Sequence, residues 1–291
     1  MVKMSIGAAF SETFAFLRTN WMQMLMWLGG AVVIACLLGW LFLRNAMTTM
    51  VMAQGDPSAA FGALGSFVLF ALVAGTVVSA ASLLIWRTGL VGGEPASDIG
   101  WGLGAGAAYM FGLFVVYIAT IILMYIFLFI VGLLAFAVFG ASGMSIESFA
   151  TGGASAGIIL FGIIIYAAII IFFLWFFGRL SVAGPLMSVN RSSNPFSAFA
   201  ESWRLTGASQ WTIVGFNVLM GIAFAVFFFI VSLVFGSVAS AMMTPDAGAG
   251  AMIGALLLAL IVYVPTILVS VSMPAAVYRC IGAAGKADVF S

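Results

Sequence analysis

Residues 21–43 read WMQMLMWLGGAVVIACLLGWLFL, a run without a single ionisable side chain. As an α-helix rising 1.5 Å per residue it reaches roughly 34 Å, enough to cross a hydrocarbon core of about 30 Å. The run outlasts the apolar core of a signal peptide, about 7–15 residues, and Arg44-Asn45 follows it in place of a small-residue cleavage site. It is expected to stay in the mature protein as a transmembrane helix. The whole chain has the same character: of 291 residues, 65% are hydrophobic and 6% charged, against about 25% charged in an ordinary soluble domain. Nine basic and eight acidic side chains cannot cover a water-facing surface of this size, so lipid is the solvent.

Outward from this run, Ile6, Phe10, Phe14 and Leu17 of the segment 5–20 share one helical face, with Glu12 and Thr19 off it. This predicts a short interfacial amphipathic helix leading into the first span. Five further apolar runs follow, and the expected spans are about 21–43, 66–86, 108–138, 155–178, 211–237 and 251–278. In the second, Ala71, Gly75 and Ser79 form a small-residue ridge suited to close packing. The third run is glycine-dense at its start (Gly100, Gly102, Gly104, Gly106), which places its helix nearer 108–138. The fold class is therefore an all-α integral membrane protein with six transmembrane helices, organised as a single polytopic domain over 1–291. Cys36 and Cys280 lie toward opposite faces, so no disulfide joins them.

Charge supports the count. With six crossings, Lys3, Arg18, Arg87, Arg179, Arg191, Arg204, Arg279 and Lys286 fall on the N-terminal side and Arg44 alone on the other. The positive-inside rule then makes both termini cytoplasmic. Trp21, Trp86, Trp101, Trp175, Trp203 and Trp211 map to that same interface, as aromatic anchors should.

The longest polar interval is NRSSNPFSAFAESWRLTGASQW, residues 190–211. Asn194 is placed to cap a helix, Pro195 suits its first position, and Gly207 is placed to end it. A second cytoplasmic interfacial helix is expected at 195–206. Phe196, Phe199, Ala200 and Trp203 form its apolar face, with Ser197, Glu201 and Arg204 on the polar one. Phe196, Phe199, Glu201, Trp203 and Arg204 are the candidate contacts to membrane surface or partner. The N-terminal AAFSETFAFLRTNW aligns with SAFAESWRLTGASQW, Glu12 meeting Glu201 and Trp21 meeting Trp211, which suggests a parallel repeat of hairpins with Glu94-Pro95-Ala96-Ser97-Asp98 as a degenerate third copy.

The phrase Asn194-Pro195-Phe196, Phe199, Ser202-Trp203-Arg204-Leu205-Thr206 resembles a group of bacterial six-helix inner-membrane proteins. They include the membrane domain fused to some glycerophosphodiester phosphodiesterases and the YciC-like proteins, and the likeness extends to helix count and to the Gly93-Glu94-Pro95 loop. It implies a multi-pass protein of the bacterial cytoplasmic membrane without catalytic residues, since chemistry in the fused enzymes belongs to a separate barrel. A shorter likeness, Glu201 to Gly207-Ala208-Ser209, resembles the loop by which importer permeases of the ABC class grip their ATPase. Ser202 and Trp203 stand where that loop has alanines, and Asn217 where it has isoleucine.

Chemistry finds little foothold. The chain has no histidine, the expected spans hold no ionisable residue, and the loop carboxylates make no paired acid and base. No catalytic, cofactor or metal site is assigned, and no cofactor is expected. A net charge of +1 gives no basic face for nucleic acid. The intramembrane candidates are Asn217, whose amide needs a partner across the bundle, Tyr263 (with Tyr117, Tyr125 and Tyr166 as further hydroxyls), and Pro265. The carbonyls that Pro265 and Pro274 release are expected to be met by Thr266, Ser270 or Ser272; the competing reading is a bent helix lining a path for a weakly polar solute. The expected function is a non-catalytic scaffold or accessory subunit whose partners are the bilayer and another membrane protein. The alternative is a transport protein or permease subunit for a lipid-like or uncharged solute, served by a cytoplasmic ATPase.

Overall fold

The computed structural model describes residues 4–52, 57–92, 95–141, 156–242 and 249–287. The 142–155 connection with Glu147, the Gly93-Glu94 pair, Lys3 and the Lys286 side chain lie outside the described residues. Among the described residues eight helices succeed one another: α1 (Ile6–Met52), α2 (Pro57–Val91), α3 (Ile99–Ala141), α4 (Ala156–Leu180), α5 (Ala183–Asn190), α6 (Pro195–Thr206), α7 (Gln210–Met242) and α8 (Ala249–Ala287). Short 3-10 turns at Pro95–Asp98 and Gly207–Ser209 lead into α3 and α7. No strand occurs among the described residues. Six segments are long and apolar enough to cross a membrane: Ile6–Arg44, Phe61–Val91, Ile99–Ala135, Leu160–Asn190, Pro195–Gly236 and Leu260–Gly282. The chain is an all-α, multi-pass membrane protein with six spanning helices.

The chain divides into two compact units, Met1–Met110 with Trp175–Ser291, and Phe111–Leu174. In the larger, α1 and α2 pack antiparallel. Gly39 of α1 lies against Phe70, while Gly89, near the far end of α2, lies so close to Phe16 that a Cβ there would meet its ring at 2.5 Å. Met4, Ala9, Val182, Leu186, Ile213, Phe216, Met220 and Val277 form a buried core between α1, α5, α7 and α8, with Phe10 edge-on to Phe216 at 5.2 Å. The smaller unit comprises the later part of α3 and most of α4. It holds an apolar furrow of about 200 Å³ lined by residues such as Leu123, Phe127 and Ile169, and exposes Tyr117, Tyr125 and Tyr166.

Several expectations are corrected here. The segment 5–20 is no separate interfacial helix: α1 runs unbroken from Ile6 through the first span. Its inward face is Ala9, Thr13, Phe16 and Asn20, all buried, while Phe14 is exposed. The short side chains of Ala9 and Thr13 let neighbouring helices approach, and the two buried polar groups are satisfied within the helix by the carbonyls of Ala9 and Phe16. The glycines at the start of the third run are no boundary either, because α3 begins at Ile99. Gly102 and Gly106, one turn apart, are contact points: a Cβ on Gly106 would lie 2.7 Å from the backbone nitrogen of Ala80. Glycine permits this close crossing. Of the predicted ridge on α2, Gly75 meets Met110, while Ala71 is exposed.

Candidate functional site: an arginine layer at one end of the helices

A helix leaves its last four carbonyls without intrahelical donors, at the negative end of its dipole. Three arginines meet such carbonyls on neighbouring helices. Arg87 of α2 donates through Nη1 to the Ser188 carbonyl at 3.0 Å, in the last turn of α5. Arg179 of α4 donates through Nη2 to the Trp203 carbonyl near the end of α6. Arg279 of α8 donates through Nη2 to the Gly89 carbonyl at 2.8 Å, near the end of α2. Each planar guanidinium thus ties two helices together.

Around Arg87 the tie becomes an ionic cluster. Asp98, the last residue of the turn before α3, is buried and pairs with Arg87 Nε. Its other oxygen forms an ion pair with Arg191 Nη2 at 3.0 Å. Arg191 closes α5 in the left-handed conformation (φ 50°), its amide and that of Ser192 both donating to the Met187 carbonyl. Arg87 also lies over the Trp101 ring, 5.6 Å from its centre.

Arg179 is held differently. No carboxylate pairs with it among the described residues. Its guanidinium lies over the Trp203 indole at 4.5 Å and donates through Nη1 to Gln210 Oε1 at 2.8 Å. Gln210 accepts also from Trp175 Nε1 at 3.1 Å. The Arg179 carbonyl in turn accepts from Ser202 Oγ at 2.7 Å and Thr206 Oγ1 at 3.2 Å. Five polar contacts therefore fasten the end of α4 to α6 and the start of α7. Arg279 lies over Phe16 at 5.1 Å and 3.5 Å from Glu12.

These contacts revise the reading of 195–206. The helix is present and capped as its sequence requires: Asn194 Oδ1 accepts from the amides of Phe196 and Ser197 at 3.1 and 3.3 Å, and Pro195 occupies the first turn. Gly207 does not end it in a left-handed turn. Its φ of −54° is right-handed, and the chain continues through the 3-10 turn into α7. The inward face is Pro195, Ala198, Phe199, Ser202 and Thr206, with Phe199 beside Tyr109 at 6.0 Å. Phe199 is thus a protein contact. Trp203 is half-buried between Arg179 and Trp175, the rings 5.3 Å apart. Phe196 and Arg204 remain exposed, and the Glu201–Arg204 pair is a loose surface contact of 3.9 Å.

The intramembrane candidates do not converge. Asn217 lies half-buried against Gly178 of α4, whereas Tyr263 and Pro265 are on the exposed side of α8. Thr266, Ser270 and Ser272 donate to the carbonyls of Val262, Thr266 and Leu268, so none meets the carbonyl that either proline releases. Next to Pro274, the Val271 carbonyl accepts from Trp86 Nε1 at 2.8 Å. Trp86 is therefore a buried cross-brace and not an interfacial anchor; Gly184 of α5 leaves the space for its ring. Arg87, Arg179 and Arg279 entered the sequence reading as charges to be sorted by side, and Glu12 and Asp98 as members of the hairpin repeat. Their position in the terminal turns of spans was the available signal, but their partners lie up to 267 residues away. Set against protein-family models, curated proteins and solved structures, the chain matches none.

Proposed function

We propose that the protein is a non-catalytic scaffold or accessory subunit of the bacterial cytoplasmic membrane, with both termini cytoplasmic. The observation that carries this reading is the mounting of α6. Its inner face is pinned to the Arg179 carbonyl by Ser202 and Thr206, and Phe196 and Arg204 face outward with Glu201 beside them. A rigidly held helix with a mixed aromatic and charged outer face suits a partner at the membrane surface. The orientation rests on charge: Arg87, Arg179, Arg191 and Arg279 gather at one end, and Arg44 stands roughly 40 Å along α1 from Arg18. The six-helix bacterial proteins that residues 194–206 resemble are the proposed relatives. Photo-crosslinkers at positions 196 and 204, activated in intact membranes, test the reading. A stoichiometric adduct to one membrane protein supports it, while adducts to lipid alone oppose it. Capture of an ATPase, with transport abolished by Glu201→Lys in a fully inserted protein, favours the permease alternative.

A further inference from the structure

Beside the Arg279 tie, α1, α2, α5 and α8 border a groove of about 660 Å³, lined by Ala8, Glu12, Leu90, Val91 and Val189 and, from α8, by Tyr278, Arg279, Cys280 and Gly282. That volume falls among small-molecule sites, about 300–1,000 Å³. The groove joins two chemistries. Ala8, Leu90, Val91 and Val189 are apolar, whereas Glu12 and Arg279 set a carboxylate and a guanidinium side by side. Their contact is long at 3.5 Å and both stay accessible, the side chains being 41% and 33% exposed. Among the described residues Arg279 donates besides to the Gly89 carbonyl and lies over the Phe16 ring, which leaves donors to spare on a group with five. Glu12 has acceptor sites to spare as well. The level is also defined. Val91 ends the second apolar span, and Arg279 is the first charged residue after the apolar run of α8, which sets the groove at a membrane boundary, where headgroups meet water.

We propose that this groove binds the headgroup of a phospholipid carrying a primary amine, as phosphatidylethanolamine does. The phosphate sits on Arg279, the ammonium on Glu12, and the upper chain methylenes lie along Leu90 and Val91. An adjoining anion and cation match a zwitterion better than a purely anionic headgroup, which Glu12 repels. A choline headgroup satisfies the charge but has no N–H to give the carboxylate. The inference rests on the membrane-spanning fold and is independent of the scaffold reading.

Cys280 lines the groove and supplies the probe. In full-length Cys36→Ser protein, maleimide labelling of Cys280 is followed in nanodiscs of phosphatidylcholine alone or mixed with phosphatidylethanolamine or phosphatidylglycerol. The expected result is labelling roughly fivefold slower with phosphatidylethanolamine than with either other lipid, as about one exposed ion pair would give, and retention of that lipid in native mass spectra. Glu12→Gln, a near-isosteric change at a half-exposed site, abolishes the difference between ethanolamine and choline lipids. Equal labelling in all three lipids overturns the proposal. So does slowest labelling with phosphatidylglycerol, persistence of the ethanolamine preference in Glu12→Gln, or equal protection by free phosphoethanolamine without lipid.

Discussion

Replacing Asp98 by alanine removes the anion at the centre of the ionic cluster, and the structure fixes how the loss divides. Breaking a buried pair by deleting one partner costs about 3–5 kcal/mol, because the other charge is stranded. Here the stranded group is Arg87, whose side chain is 17% exposed. It keeps the Ser188 carbonyl and the Trp101 face, which lowers the expected cost to about 2–3 kcal/mol. Arg191 is 56% exposed, so its share of the cluster is below about 1 kcal/mol. Asp98→Ala, Arg191→Ala and the double variant, compared by reversible denaturation in mixed micelles, form a cycle that isolates the outer pair. Added salt should weaken the Arg191 part and leave the Arg87 part nearly unchanged, since burial limits screening. A cost for Asp98→Ala below about 1 kcal/mol, or one equal to that of Arg191→Ala, would refute the division into a buried and a screened arm.

Other consequences test the packing directly. Gly184→Ala places a Cβ 2.1 Å from Cζ3 of Trp86, an indole pinned at its other end; the same denaturation assay should show a loss of about 1–3 kcal/mol. Gly106→Ala pushes against the backbone of Ala80, which cannot rotate away, and should lower the unfolding midpoint at least as far. Trp86→Phe removes part of a buried indole together with its bond to the Val271 carbonyl, for an expected cost of about 2–4 kcal/mol. Phe199→Asp buries a carboxylate beside Tyr109 and should unfold the protein at lower denaturant, while Phe196→Asp, at an exposed position, should leave the midpoint unchanged.

The six spans are legible from sequence because hydropathy reports the solvent, and the solvent here is hydrocarbon. The Asn194-Pro195 start of α6 is legible too, because capping is local chemistry between adjacent residues. What each helix packs against is not. In water an apolar stripe points to the core; at a membrane it points equally to lipid or to protein, and so Phe199 reads as an anchor although it is buried. Glycine carries a similar ambiguity. Gly102 and Gly106 weaken a helix in water, yet in a bundle they let α3 reach the backbone of α2. The arginine ties depend on partners brought together by the fold, such as Arg279 with Gly89, and no periodicity announces them.

The arginines raise a question of cause: whether they lie at one end because of topology or because helix ends attract cations. The dipole argument alone treats every C-terminus alike. α2, α5, α6 and α8 end in or beside the arginine layer, and the last turns of the first three supply the carbonyls that accept from Arg87, Arg179 and Arg279. The helices α1, α3 and α7 run the other way, and none carries a basic residue in its last turn. The dipole alone therefore does not account for the arginines lying at one end. Of the arginines gathered at that end, Arg87, Arg179 and Arg279 each serve as a donor to a neighbouring helix end. Arg44, toward the other end of α1, lies 4.7 Å over the Trp40 ring. These ties explain why the arginine layer is well fastened internally, while Phe196 and Arg204 on α6 and, in part, Glu12 and Arg279 stay open to the outside.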